Sequence, residues 1–173
     1  MKTPFTKIEV AEIQLRAAVR MFFCEEHPVA VETLVGAASG VLRDLAQQRG
    51  LGGILHDNPL IKPEHKKEWI RFFHEAQNFF KHADKDAGAT YDYEPQGLHY
   101  LLREACQLYR QLASGDHLKH HQLKEAVMYE IWFSFKYPHL LLDPDAPRKL
   151  AKDKKLQAFD PNDFEVVRIA LGI

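Results

Sequence analysis

The residues best suited to chemistry in this chain form the segment Gln77-Asn78-Phe79-Phe80-Lys81-His82. Asn78 and His82 are four residues apart, so on a helix they lie on the same face. An imidazole titrates near neutral pH and can therefore transfer protons. Nowhere else in the sequence do polar side chains of this kind recur at helical spacing within an otherwise apolar surface. We therefore predict a functional site on this segment.

A purely structural interpretation of the same residues competes with the functional one. His74, Asn78 and His82 follow one another at four-residue steps and predict a polar stripe on a helix. Most such stripes are solvated faces or buried hydrogen-bond networks, and we rank this interpretation ahead of catalysis. His82 is followed by Asp84 and Asp86. A further structural interpretation is that the His82 side chain interacts with those carboxylates or with the negative end of the helix dipole.

Composition and charge describe an ordinary globular chain of 173 residues, with 46% hydrophobic and 27% charged residues. The 23 Lys and Arg residues are balanced by 24 Asp and Glu residues, so any contact with nucleic acid must be local. No segment approaches the roughly 18 consecutive apolar residues of a membrane helix, and the first five residues do not resemble a signal peptide. We expect a cytoplasmic protein without a membrane partner.

Apolar residues recur at three- and four-residue steps through almost the whole chain, and no alternation of period two persists. The pattern predicts an all-α fold, an antiparallel bundle of about five main helices plus short C-terminal helices. We expect the bundle to span residues 1–143, with 144–173 a tail of short helices packed on it. The predicted helices cover residues 8–22, 28–49, 63–82, 96–113, 118–137 and 163–171.

The third predicted helix is unusually aromatic. Five bulky aromatic residues occur within 12 positions: Trp69, Phe72, Phe73, Phe79 and Phe80. They cover more than one helical face, which is typical of a helix that is central in a bundle or buried against a second subunit. We therefore expect a homodimer through the helix spanning 64–82.

Two segments together resemble a known family. Gly36-Ala37-Ala38 in an early helix and Asn78-Phe79-Phe80-Lys81-His82 in a later one are similar to an uncharacterised bacterial subgroup of the HEPN superfamily, all-helical domains named for higher eukaryotes and prokaryotes nucleotide-binding. Active members carry an Arg-polar-x-x-x-His motif on a late helix. Gln77 stands at the arginine position, Asn78 at the polar position and His82 at the histidine, so the motif is degenerate.

The resemblance implies metal-independent RNA cleavage, often in a dimer cleft, in which the histidine moves protons and the arginine binds the phosphate. Gln77 keeps a hydrogen-bond donor but lacks the charge, and losing one such donor typically costs about 100- to 1000-fold in rate. We therefore predict a non-catalytic nucleotide- or RNA-binding or protein-interaction module. A weak ribonuclease using His82 is the alternative. The candidate catalytic residues are His82, Asn78 and Gln77, and the candidate ligand-binding residues are Lys81, His74 and Arg71.

The chain has ten histidines, including His117, His120 and His121, which raises a metal-binding helical bundle as a further alternative. Helical di-metal sites use Glu-x-x-His pairs, and no glutamate lies three residues before any histidine on a predicted core face. We expect no metal and no other cofactor. Cys24 and Cys106 have no ligand or CxxC spacing, and we predict that both are reduced, buried thiols.

Overall fold

The computed structural model describes residues 3–53, 55, 62–82, 84, 87–114, 123–151 and 157–173. Throughout these ranges the regular structure is helical and contains no strand, which confirms the predicted all-α bundle. The elements are α1 (Lys7–Phe23), α2 (Pro28–Gln48), α3 (Pro63–Lys81), α4 (Gln96–Ala113), α5 (Lys124–Lys136), a 3-10 turn (Pro138–Leu140), α6 (Ala146–Leu150) and α7 (Phe164–Leu171). The start predicted for the fifth helix and the histidines at 117, 120 and 121 lie outside the described residues.

Local sequence explains where the first two helices begin and end. Thr6 and Glu9 form a capping box at the start of α1, in which the Thr6 hydroxyl accepts from the Glu9 amide at 3.3 Å. The chain then turns before Pro28, which occupies the first position of α2. Gly50 has φ of 68° just beyond α2, a left-handed conformation that favours glycine.

The core lies between α1, α2, α4 and α5. Its largest fully buried side chains include Trp132 and Tyr129 of α5 and Phe23 of α1. Cys106 is buried as predicted, but the prediction was wrong for Cys24, which is exposed. Cys24 is the residue that caps the C-terminus of α1, so it lies outside the helical pattern from which burial was inferred.

The C-terminal segment packs on the bundle through both apolar and polar contacts. Val167 and Leu171 of α7 are buried and belong to the same core as α1 and α5. The Trp132 indole donates to the Pro161 carbonyl at 2.7 Å, and Arg168 donates to the Phe23 carbonyl at 3.2 Å. Within the described ranges, no helix combines the length and the apolar character that a membrane span requires.

Candidate functional site on helix α3

Helix α3 lies at the edge of the bundle and makes its main helix contact with α2. A second connection runs to α4 through Leu55, which precedes α3. The fully buried Glu104 of α4 accepts from the Leu55 amide at 2.9 Å, and the Leu55 carbonyl accepts from the Trp69 indole at 2.8 Å. Glu104 therefore fixes the position of the N-terminal half of α3 through Leu55.

Gln77, which stands at the arginine position of the motif, faces the core. It is only 4% exposed, and its amide nitrogen donates to the Phe73 carbonyl at 3.2 Å. The side chain lies against Gly36 of α2, where an added Cβ would fall 2.7 Å from the Cδ of Gln77. The Gln77 amide therefore contributes to the α2–α3 interface, and Gly36 allows the two helices to approach.

Asn78, Lys81 and His82 are all exposed. His82 follows the last residue of α3 as its C-cap, with extended backbone, and its amide donates to the Asn78 carbonyl at 3.1 Å. The structure thus brings Asn78, Lys81 and His82 to the surface at the C-terminal end of α3. It does not bring Gln77 to that surface.

Further polar residues extend this surface along α3. Lys67 and Arg71 are exposed, and their spacing to Asn78 and Lys81 places all four on one side of the helix. His74 is half-buried on the same side. We call Lys67, Arg71, His74, Asn78 and Lys81 the basic strip.

Arg43 of α2 lies beside the basic strip, with its Nη1 3.4 Å from the Nε2 of His74. Sequence reasoning missed both Arg43 and Lys67. Lys67 had a detectable signal, because it lies four residues before Arg71. Arg43 had none, since it comes from another helix and only the fold places it next to His74.

The other flank of α3 borders a cavity of opposite character, with a volume of about 200 Å³. Its lining includes four aromatic residues and four acidic ones: Phe72, Phe73, Tyr91, Tyr93, Glu32, Glu75, Asp92 and Glu94. The Tyr93 hydroxyl donates to Glu32 at 2.5 Å, and burial raises the pKa of the Glu32 carboxyl. This flank repels a polyanion, so of these two sides of α3 the basic strip is the one suited to binding one.

The aromatic residues of α3 mostly find partners within the chain. Phe79 stacks on Tyr91 with ring centroids 5.3 Å apart, and Phe80 meets the Tyr93 ring edge-on at the same distance. Phe72 meets the Phe73 ring edge-on at 5.1 Å, but it differs from the other four in being largely exposed, at 60%. The aromatic excess from which a homodimer was predicted is therefore largely accounted for by contacts within the chain, with Tyr91 and Tyr93 for Phe79 and Phe80 and between Trp69 and Phe73. The homodimer stays a prediction.

The chemistry available at this surface is the binding of anions and proton transfer by an exposed imidazole. Lys81 and Asn78 adjoin His82, whereas the nearest arginine of α3, Arg71, lies about two turns before Asn78. A paired guanidinium next to the imidazole, which the resemblance implies for an active site, is not supplied by α3. Among the described residues, no group of three or more His, Cys, Asp or Glu side chains is arranged to hold a metal ion.

Comparison of the chain with protein-family models, with curated proteins and with solved structures found no match. The similarity to the HEPN superfamily therefore depends on residues 36–38 and 78–82 alone, and membership in that superfamily stays a prediction.

Proposed function

We propose that this protein is a non-catalytic RNA-binding module that contacts phosphates through the basic strip of α3. The observation that carries the proposal is the exposure of Lys67, Arg71 and Lys81 on one side of α3, which is distinct from the flank that borders the acidic cavity. Phosphate contacts of this kind supply sequence-independent affinity and fix the orientation of the bound strand. Asn78 adds a neutral donor and acceptor between the cationic side chains.

The near-zero net charge of the chain supports a local and modest interaction. With three cationic contacts, the logarithm of affinity for single-stranded RNA is expected to fall with the logarithm of salt concentration with a slope of about −2. The buried position of Gln77 supports the non-catalytic part of the proposal, because its amide is bonded to Phe73 and turned away from His82. A weak ribonuclease remains the second candidate, favoured by the exposure of Asn78 and His82.

Fluorescence anisotropy with a labelled, mixed-sequence single-stranded RNA tests the proposal. The double variant Arg71→Gln/Lys81→Gln is expected to bind more weakly and to flatten the salt slope by about 1.4, because two phosphate contacts are lost. Lys7→Gln/Lys124→Gln is the matched control, since it removes two positive charges from exposed positions on other helices. Equal weakening in both variants would show binding by net charge alone, and absence of binding by the wild type would refute the proposal.

The proposed homodimer through α3 has narrower support, which is confined to the exposed ring of Phe72. That ring borders the acidic flank and not the basic strip. A dimer formed there would leave the basic strip of each subunit accessible to RNA, so the two proposals are compatible and can be tested separately.

A further inference from the structure

A second cavity, distinct from the α3 surface, lies between α4, α5 and α6 and has a volume of about 410 Å³. This volume is within the range of roughly 300 to 1,000 Å³ typical of small-molecule sites. Much of its lining is apolar and includes Val127, Ile131, Phe135, Leu141, Pro147 and Ala151. We call it the α5 cavity.

Three charged side chains line the same cavity. Glu130 of α5 is only 9% exposed, and each of its carboxylate oxygens has an arginine partner from α4. Arg103 reaches Oε1 at 2.6 Å and Arg110 reaches Oε2. Both guanidinium groups carry a charge, since arginine is not deprotonated in proteins. The group therefore has a net charge of one positive unit beside apolar walls.

The unbalanced charge determines which ligand chemistry fits. A guanidinium offers five N–H donors, and pairing with one carboxylate oxygen leaves others unused on each arginine. Glu130 is the only acidic residue among the described lining, so no second carboxylate there neutralises the arginines. A single negative charge would complete the pairing, whereas a polyphosphate would bring excess charge to an apolar site.

We propose that the α5 cavity binds a small organic monoanion, whose carboxylate pairs with Arg110 and Arg103 and whose apolar body packs against α5 and α6. Arg110 is the more accessible of the two, with a side chain 43% exposed against 26% for Arg103. The ligand class is that of a carboxylic acid with an aliphatic or aromatic body. This site is independent of the basic strip and of RNA binding.

Isothermal titration with octanoate, octanol and octylamine tests the proposal, because the three probes share one chain and differ in the charge of the head group. A charge-assisted hydrogen bond predicts that octanoate binds about 10- to 100-fold more tightly than octanol, with octylamine weakest. Octanoate that does not bind, or that binds no more tightly than octanol, would overturn the proposal.

Variants locate the site. Arg110→Met leaves Arg103 and Glu130 as a neutral pair, so octanoate should lose its advantage over octanol, and Arg110→Lys should restore part of it. Arg16→Met is the matched control, because Arg16 has a side chain 46% exposed and an ion pair with Glu12 outside the cavity. Unchanged octanoate affinity in Arg110→Met would refute this location. If Arg110→Met does not fold, Ile131→Trp serves instead, since it fills the cavity and should abolish binding of both octanoate and octanol.

Discussion

Gly36 of α2 lies directly against the side chain of Gln77 in α3. A Cβ built on Gly36 would fall 2.7 Å from the Cδ and 2.8 Å from the Oε1 of Gln77, closer than side chains approach one another. The absence of a side chain at Gly36 therefore sets the distance between the two helices. This packing contact connects Gly36, in the first segment of the family resemblance, with Gln77, which stands at the arginine position of the motif.

Gly36→Ala should lower the free energy of unfolding by about 1 to 3 kcal/mol, because the new methyl group overpacks the interface with Gln77. Gly40→Ala is the matched control on the same helix, since a Cβ there meets nothing within 4 Å. That control should gain up to about 1 kcal/mol from the higher helix propensity of alanine. Urea unfolding of both variants measures the difference.

Gln77→Ala added to Gly36→Ala supplies the double-mutant cycle. Because shortening Gln77 removes the clash, the double variant should be more stable than the sum of the two single changes predicts. Additive effects, or equal stability of Gly36→Ala and Gly40→Ala, would show that Gln77 moves aside at little cost.

RNA cleavage in EDTA by the wild type and by His82→Ala separates binding from catalysis. We expect no cleavage by either protein, because no guanidinium of α3 adjoins His82. Gln77→Arg should not restore cleavage and should lower stability, since a longer charged side chain would be placed against Gly36 in a buried interface. Cleavage by the wild type that disappears in His82→Ala would establish a metal-independent ribonuclease instead.

The helices were predictable because their signals are local. The predicted boundaries of α4 coincide with those of the structure, 96–113, since leucines repeat along one face and the flanking residues do not continue the pattern. Likewise, Thr6 and Pro28 mark helix starts through chemistry that depends only on neighbouring residues. Glycine composition alone does not locate the close helix contact, because Gly36 lies against Gln77 whereas a Cβ at Gly40 would meet nothing within 4 Å.

The inward direction of the Gln77 side chain was not predicted, although the spacing between Gln77 and His82 contains this information. Residues five apart on a helix differ by roughly 140° in direction, so Gln77 and His82 cannot share a narrow face. The family motif specifies residue types at fixed positions, and it does not specify the direction in which each side chain points. The covering of Phe79 and Phe80 by Tyr91 and Tyr93 had no local signal, because the polar segment before α4 gives no indication of where it folds.

The pairing of Glu130 with two arginines could not be predicted from the sequence either. Arg103 and Arg110 are seven residues apart on α4 and share a face, but their carboxylate partner comes from α5. Only the packing of the two helices brings the three groups together, so no spacing rule within one helix identifies them.

Phe72→Ser tests the predicted homodimer. If the subunits associate through α3, light scattering at micromolar concentration should detect a dimer in the wild type and a shift toward monomer in the variant, because Phe72 is the aromatic residue of α3 left largely exposed. Phe5→Ser is the matched control, since Phe5 is also 60% exposed but precedes α1. A monomeric wild type would contradict the homodimer, and equal effects of both changes would place the interface elsewhere.

His99 gives the fold a pH dependence that can be measured. Its Nδ1 is hydrogen-bonded to the Tyr137 hydroxyl, and its ring meets Trp132 edge-on at 5.2 Å. Burial lowers the pKa of His99 to about 4, and the nearby Lys136 acts in the same direction. Protonation therefore favours the unfolded chain, in which the pKa of histidine is about 6.5.

The free energy of unfolding should be unaffected by His99 above pH 6.5 and should fall, on the order of a few kcal/mol, as the pH decreases from 6.5 to 4. Below pH 4 both states bind the proton and this contribution levels off. His99→Gln removes the titrating group, so its stability should depend less on pH in this window, whereas His65→Gln, at an exposed position of α3, should follow the wild type. Urea unfolding at several pH values measures the three curves, and an equal fall in wild type and His99→Gln would assign the effect to titrating groups other than His99. Glu32 is not among them, because a carboxyl whose pKa is raised by burial stabilises the fold as the pH decreases.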